Sequence, residues 1–202
     1  VDAGRSAEGE AMLTRFIASQ PGHGSAYRVR AVARWRMHLP LQSAQDFQSA
    51  IDSSKNPSPA LFRSLVITLA SSGPEHVASA MDAVNAGLAK FSREVNLLGL
   101  AVDLSLSRGD NQRALKYLSR LPQQLNVLPQ WAFRRAIWAC ISGDKEKASA
   151  EFSALLDGSS MPGRQRAGTW VLPSWTVSSL ADQAEPQPCM DAAWQNLIDQ
   201  DP

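Results

Sequence analysis

The sequence predicts an all-α chain, a solenoid of about four stacked helix pairs with a half pair at the N-terminus and a capping segment at the C-terminus. Three observations predict it, and the first is a recurring turn. Gly73, Gly109 and Gly143 lie 36 and 34 residues apart, and Leu39 lies 34 before Gly73. The second is a large residue in each period: Tyr27, Leu61, Leu97 and Trp131 follow one another at 34, 36 and 34 residues. The third is a small one, Ala44, Ala78, Ala114 and Ala148, at the same spacings. Internal periods of this length mark stacked supersecondary units. One short helix pair cannot bury its apolar face alone, so neighbours must stack into a continuous core.

The elements follow in chain order. Residues 7–20 carry Ala11, Met12, Leu13, Phe16 and Ile17 before Pro21, the pattern of a second helix whose first is missing. Because residue 1 is Val rather than Met, the expectation is that the natural N-terminus has been removed. Pro21-Gly22-His23-Gly24 is a loop into four helix pairs over 24–157. First helices show apolar residues at helical spacing, as in Leu61, Leu65, Val66, Leu69 and in Leu97, Leu98, Ala101, Val102, Leu104. Each ends at a glycine, which enters the left-handed region without steric penalty. Asp110 and Asp144 then suit an N-cap, and Pro74 suits a first helical position. Second helices run Val77, Met81, Val84, Leu88, then Ala114, Leu118, Leu121, then Ala148, Phe152, Leu155. Residues 158–202 leave the period. They read as an irregular segment with a short helix near 174–183 and a final helix at 189–199 bearing Met190, Trp194, Leu197 and Ile198. This segment is expected to cap the last pair, or else to dock a partner through its tryptophans. The whole chain, 1–202, is read as one domain.

Together these columns resemble tetratricopeptide repeats, over residues 24–157. The resemblance lies in the period, in the large residue opening each first helix, and in a small-then-large step in each second helix: Ser43 and Phe47, Val77 and Met81, Ala114 and Leu118, Ala148 and Phe152. It implies a right-handed α-α superhelix whose first helices line a concave groove. Carried over by position, that groove would present Arg28, Val32, Trp35 and Arg36 from the first pair, Phe62, Val66 and Leu69 from the second, and Leu98 and Val102 from the third. Ser105, Ala132, Ala136 and Ala139 continue the face. The lysine and asparagine set with which some members of the family clamp a terminal carboxylate is missing, since Val32, Val66 and Val102 occupy the matching column. A largely apolar groove with a basic entrance suits a partner's helix or extended segment, the chain's own C-terminal segment, or a second copy.

Composition narrows the function. Of 202 residues, 44% are hydrophobic and 19% charged, which is globular, and the net charge of +1 argues against a dedicated nucleic-acid binder. No apolar run reaches the roughly 18 residues of a membrane-spanning helix. Cys140 and Cys189 form neither a disulfide framework nor a zinc site. Cys140 reads as a small buried hydrophobe, with one disulfide between the two as the alternative. There is no phosphate loop, nucleophile elbow or metal-ligand helix motif, so no catalytic residue, metal ligand or cofactor is assigned. His23, His38 and His76 fall in or beside loops. Arg28, Arg30, Arg34 and Arg36 share one helix, with Arg30 and Arg34 on one side of it. They are either a solvated surface or a site for an acidic peptide, a chain terminus or a phosphate. The expected function is a non-enzymatic scaffold or adaptor, part of a longer protein, that binds a protein or peptide. The alternative is a regulatory or substrate-recruiting domain of an enzyme lying outside this sequence. Nothing in the chain decides between bacterial export and the cytoplasm.

Overall fold

A computed structural model describes the backbone of residues 3–122, 129–141 and 143–156, and the side chains of 6–122, 134–140 and 143–151. Among the described residues the chain is all-helical. The helices are α1 Ala3–Ser19, α2 Gly24–Arg36, α3 Pro40–Asp52, α4 Pro59–Ala70, α5 Val77–Lys90, α6 Val95–Leu106, α7 Asn111–Leu118, α8 Pro129–Ile141 and α9 Lys145–Leu156, with a 3-10 turn at Pro74–His76. Where the sequence reads as one domain, the chain divides into two compact units, Val1–Leu104 and Ser105–Pro202. In the first unit each helix packs on the next: α1 on α2, α2 on α3, α3 on α4, α4 on α5. In the second, α8 packs on α9. The expected helices beyond residue 158, and the side chains of Trp131, Phe152 and Leu155, lie outside the described residues.

Three of the pair-closing turns are built alike. His38 (φ 58°), Gly109 (φ 68°) and Gly143 (φ 80°) are left-handed. At each, the next residue's N–H reaches back five residues at 2.9 Å: Leu39 to the Arg34 carbonyl, Asp110 to Ser105, Asp144 to Ala139. The left-handed residue's own N–H reaches back three, His38 to Trp35 and Gly143 to Cys140 among them. This is the Schellman closure, which satisfies the last carbonyls of a helix. As expected, Asp110 and Asp144 then cap the following helices, each Oδ1 accepting a backbone N–H at 3.0 Å, from Arg113 and Lys147.

Two details correct the sequence register. In the first pair the left-handed position belongs to His38, not Leu39, whose φ is −111°. Histidine is among the non-glycine residues that tolerate this region best. In the second pair Gly73 adopts φ 136° and ψ 162°, outside the left-handed helical region, and the 3-10 turn delays α5. The buried small column of the second helices is therefore Ser43, Ala80, Ala114 and Ala148, all fully buried, rather than Ala44, Ala78, Ala114 and Ala148. Ala78 is exposed and Val77 only half-buried. On the first helices the matching fully buried positions are Ala31, Val66, Val102 and Ala136. Ser43 Oγ donates to the Ala31 carbonyl at 2.7 Å, fastening one such contact with a satisfied buried hydroxyl.

Eight residues either side of a Schellman turn lies a second recurring locus. In the first pair it holds Arg30 and Asp46, where Arg30 Nε and Nη2 donate to Asp46 Oδ2 and Oδ1 at 2.9 and 2.6 Å. In α8 and α9 it holds Arg135 and Glu151, joined in the same two-point fork at 2.7 and 2.6 Å. In the second pair the corresponding positions are Leu65 and, allowing for the inserted turn, Ala83, both buried. One interhelical site is thus filled by either an ion pair or apolar side chains, as expected where the two solutions are energetically close.

At Gly87 neighbouring helices approach closely. A Cβ there would sit 2.9 Å from Leu97 Cδ1 and 3.0 Å from Phe62 Cβ, so α5 is held against both α4 and α6. Cys140 is buried, as expected, but it is disulfide-bonded rather than a free small hydrophobe. Cys189, the chain's other cysteine, lies outside the described residues.

Candidate docking face on the second helix

The arginine-rich helix α2 separates into two faces. One is turned inward and its charges are neutralised. Arg30 forks onto Asp46, which is only 2% exposed, and Arg34 Nη1 approaches the same carboxylate at 3.0 Å. Arg34 Nε and Nη2 also donate to Glu10 Oε1 at 3.1 and 2.8 Å. Thr14 Oγ1 accepts from Arg30 Nη1 and donates to the same Glu10 oxygen, both at 3.1 Å. Two arginines, two carboxylates and a hydroxyl thereby tie α1, α2 and α3 together. The hydrogen bond from Arg34 holds the Glu10 carboxyl below its usual range, against a smaller opposing effect of burial. Arg30 is held more firmly protonated, first by its hydrogen bond to Asp46.

The opposite face is open. Arg28, Val32, Trp35 and Arg36 fall within an arc of about 100° on α2. All four are exposed, Val32 by 39% and Trp35 by 41%. Neither Arg28 nor Arg36 makes an ion pair or a side-chain hydrogen bond among the described residues. At its N-terminal end this face runs into a cleft of about 320 Å³ between α2, α3 and α4. Arg28, Val32, Phe47 and Leu61 line the cleft together with Ser25, Ser54, Ser58, Ser64 and Asn56. The lining contains one charged group, Arg28, and no carboxylate.

The remaining residues expected on the groove lie elsewhere. Phe62, Val66, Leu98 and Val102 are buried, so they form core rather than an accessible groove wall. Leu69 is half-buried. The reason is visible in α4 and α6, whose sequences PALFRSLVITLA and VNLLGLAVDLSL are apolar on nearly every side. A helix apolar all round is enclosed, whereas α2 carries polar residues between its apolar ones.

Two histidines have partners that the sequence does not reveal. Ser25 Oγ lies 2.9 Å from His23 Nδ1, and His76 Nε2 lies 3.5 Å from Glu75 Oε1. Both contacts join near neighbours in sequence at turns. The His23 ring also packs edge-on against Phe16, with centroids 5.2 Å apart. No carboxylate orients the His23 ring among the described residues, so the Ser–His contact lacks the third member of a nucleophilic triad. Among the described residues no group of three or more His, Cys, Asp or Glu side chains could hold a metal ion. Among them, too, no helix is long and apolar enough to cross a membrane. Compared with protein-family models and with curated proteins, the chain matches none.

Proposed function

We propose that this chain is a non-enzymatic interaction module of the tetratricopeptide-like kind, a right-handed superhelix of about four helix pairs that scaffolds a protein assembly. It holds a segment of a partner protein against the open face of α2. One observation carries this reading. Although α1 and α3 pack on α2, the helix leaves a tryptophan and a valine in water between two unpaired arginines. Exposed aromatic and arginine side chains are the residue types most enriched at interaction hot spots. The shared turn chemistry, the buried small columns and the recurring interhelical locus support the repeat architecture that would present such a face.

The test is photo-crosslinking in the native host's lysate, comparing the parent chain with an Arg28→Glu, Trp35→Ala variant. Both side chains are exposed, so the variant keeps its fold, and a circular-dichroism melt checks this. Partners captured by the parent are expected to disappear with the variant. Recovery of the same proteins by both would show that α2 is not the docking face.

A further inference from the structure

We propose that the open face continues into a docking site for an acidic protein segment, built where the N-terminal ends of α2 and α4 meet and charged by Arg28, Lys55 and Lys90. The inference rests on the interaction-module reading and names the chemistry of its partner.

A second cleft, of about 460 Å³, is lined by Lys55, Pro57, Pro59, Lys90 and Phe91. It shares Asn56 and Ser58 with the Arg28 cleft, so the two adjoin across the loop between α3 and α4. Three cations line the joined clefts and no carboxylate does. None of the three makes an ion pair among the described residues. Lys90 instead stands over the Phe62 ring, its Nζ 5.9 Å from the centroid. This contrasts with Arg30, Arg34 and Arg135, each of which is matched to a carboxylate. In a chain whose net charge is only +1, three unmatched cations around one depression are a local excess.

The backbone adds to it. The side chains of His23 and Ser58, the residues preceding α2 and α4, cap no backbone N–H of the turn that follows. No side-chain acceptor therefore offsets the positive end of the helix dipole at either helix start. Ser25 and Ala60, in those first turns, line the Arg28 cleft. Besides the cations, the lining mixes serine hydroxyls and the Asn56 amide with apolar walls, Val32, Phe47 and Leu61 in one cleft and Phe91 and two prolines in the other. A lone phosphate would use the charge and leave these apolar walls wet. A chain alternating carboxylates with apolar side chains uses both, and that charge complementarity selects the occupant.

The test pans a phage library of random twelve-residue peptides on the full chain. Synthetic copies of the enriched peptides are then measured by fluorescence anisotropy at 50 and 200 mM salt. The comparison is with Arg28→Glu, Lys55→Glu, Lys90→Glu and with a charge-matched control, Arg108→Glu, Arg113→Glu, Lys116→Glu. Enriched peptides are expected to carry Asp or Glu beside apolar residues, and to bind the first variant at least about tenfold more weakly. Their affinity should fall as salt rises, and the control should bind as the parent does. Peptides that lack acids, or that bind the first variant equally well, overturn the acidic site but leave the interaction module standing. A twelve-residue thymidine oligonucleotide that binds better than any peptide and depends on the same cations overturns it in favour of nucleic acid. Failure to enrich any peptide overturns both readings.

Discussion

Replacing Asp46 by Ala should be among the most damaging single changes in the first unit. The Asp46 carboxylate is buried and accepts from both Arg30 and Arg34. Removing it leaves the Arg30 head, 11% exposed, with only the Thr14 hydroxyl, and Arg34, 18% exposed, with Glu10 alone. Deleting one partner of a buried ion pair typically costs about 3–5 kcal/mol. Because both arginines keep some contact with water, a cost of about 2–3 kcal/mol is expected here. With a urea sensitivity of about 1–3 kcal/mol per molar, the unfolding midpoint should fall by roughly 0.7–3 M. Circular dichroism during urea titration of the full chain reads this directly. The companion variant, Arg30→Leu with Asp46→Ala, transplants the Leu65 and Ala83 solution of the second pair to the same locus. It removes Arg30, the more enclosed of the two arginines that lose Asp46, along with its partner, so it should cost less than Asp46→Ala alone. An Asp46→Ala midpoint within error of the parent would refute the reasoning, and so would a double variant that is no more stable than the single one.

Three further outcomes follow from geometry. The Glu10 carboxyl is held below its usual 4.5, so the stability it contributes is present above that value and lost as pH falls through the lower folded value. An acid titration of Glu10→Gln should show a shallower loss of stability below about pH 4.5 than the parent. Gly143→Val should cost about 1–2 kcal/mol from backbone strain alone, since nothing lies within 4 Å of a Cβ at that left-handed position; a thermal melt identical to the parent would contradict the turn. Gly87→Ala should destabilise by about 1 kcal/mol despite alanine's better helix propensity, because overpacking against Phe62 and Leu97 outweighs the gain. Increased stability would show that the α4–α5–α6 contact yields easily.

The helices were legible because their signals are local. Asp110, Asp144 and Pro40 start helices by chemistry that needs no distant partner. Register was less legible, because a 3-10 turn and a left-handed histidine leave the spacing of glycines and alanines almost undisturbed while moving the contacts. The candidate face is half visible. Arg28, Val32, Trp35 and Arg36 share one side of a mixed helix, and that side is open. Position alone carries Phe62, Val66, Leu98 and Val102 onto the same face, yet the all-round apolar character of α4 and α6 marks them as enclosed. Lys55 and Lys90 carried no periodic signal at all, since one lies in a loop and the other closes α5. Only the fold brings their cleft against that of Arg28.

The extra turn at Pro74–His76 separates two things that a fixed-length repeat treats as one. The columns that make helix pairs fit are counted from the interhelical contact, and the connection between them is free to gain residues. Ala80 takes the role of Ser43 although two more residues precede it in its own pair. For an engineer this makes the link between α4 and α5 a natural splice point, where a tag or binding loop can enter without disturbing the core. For a genome it makes insertions there the cheap ones, so copies of such a pair can drift apart in length long before they drift apart in shape.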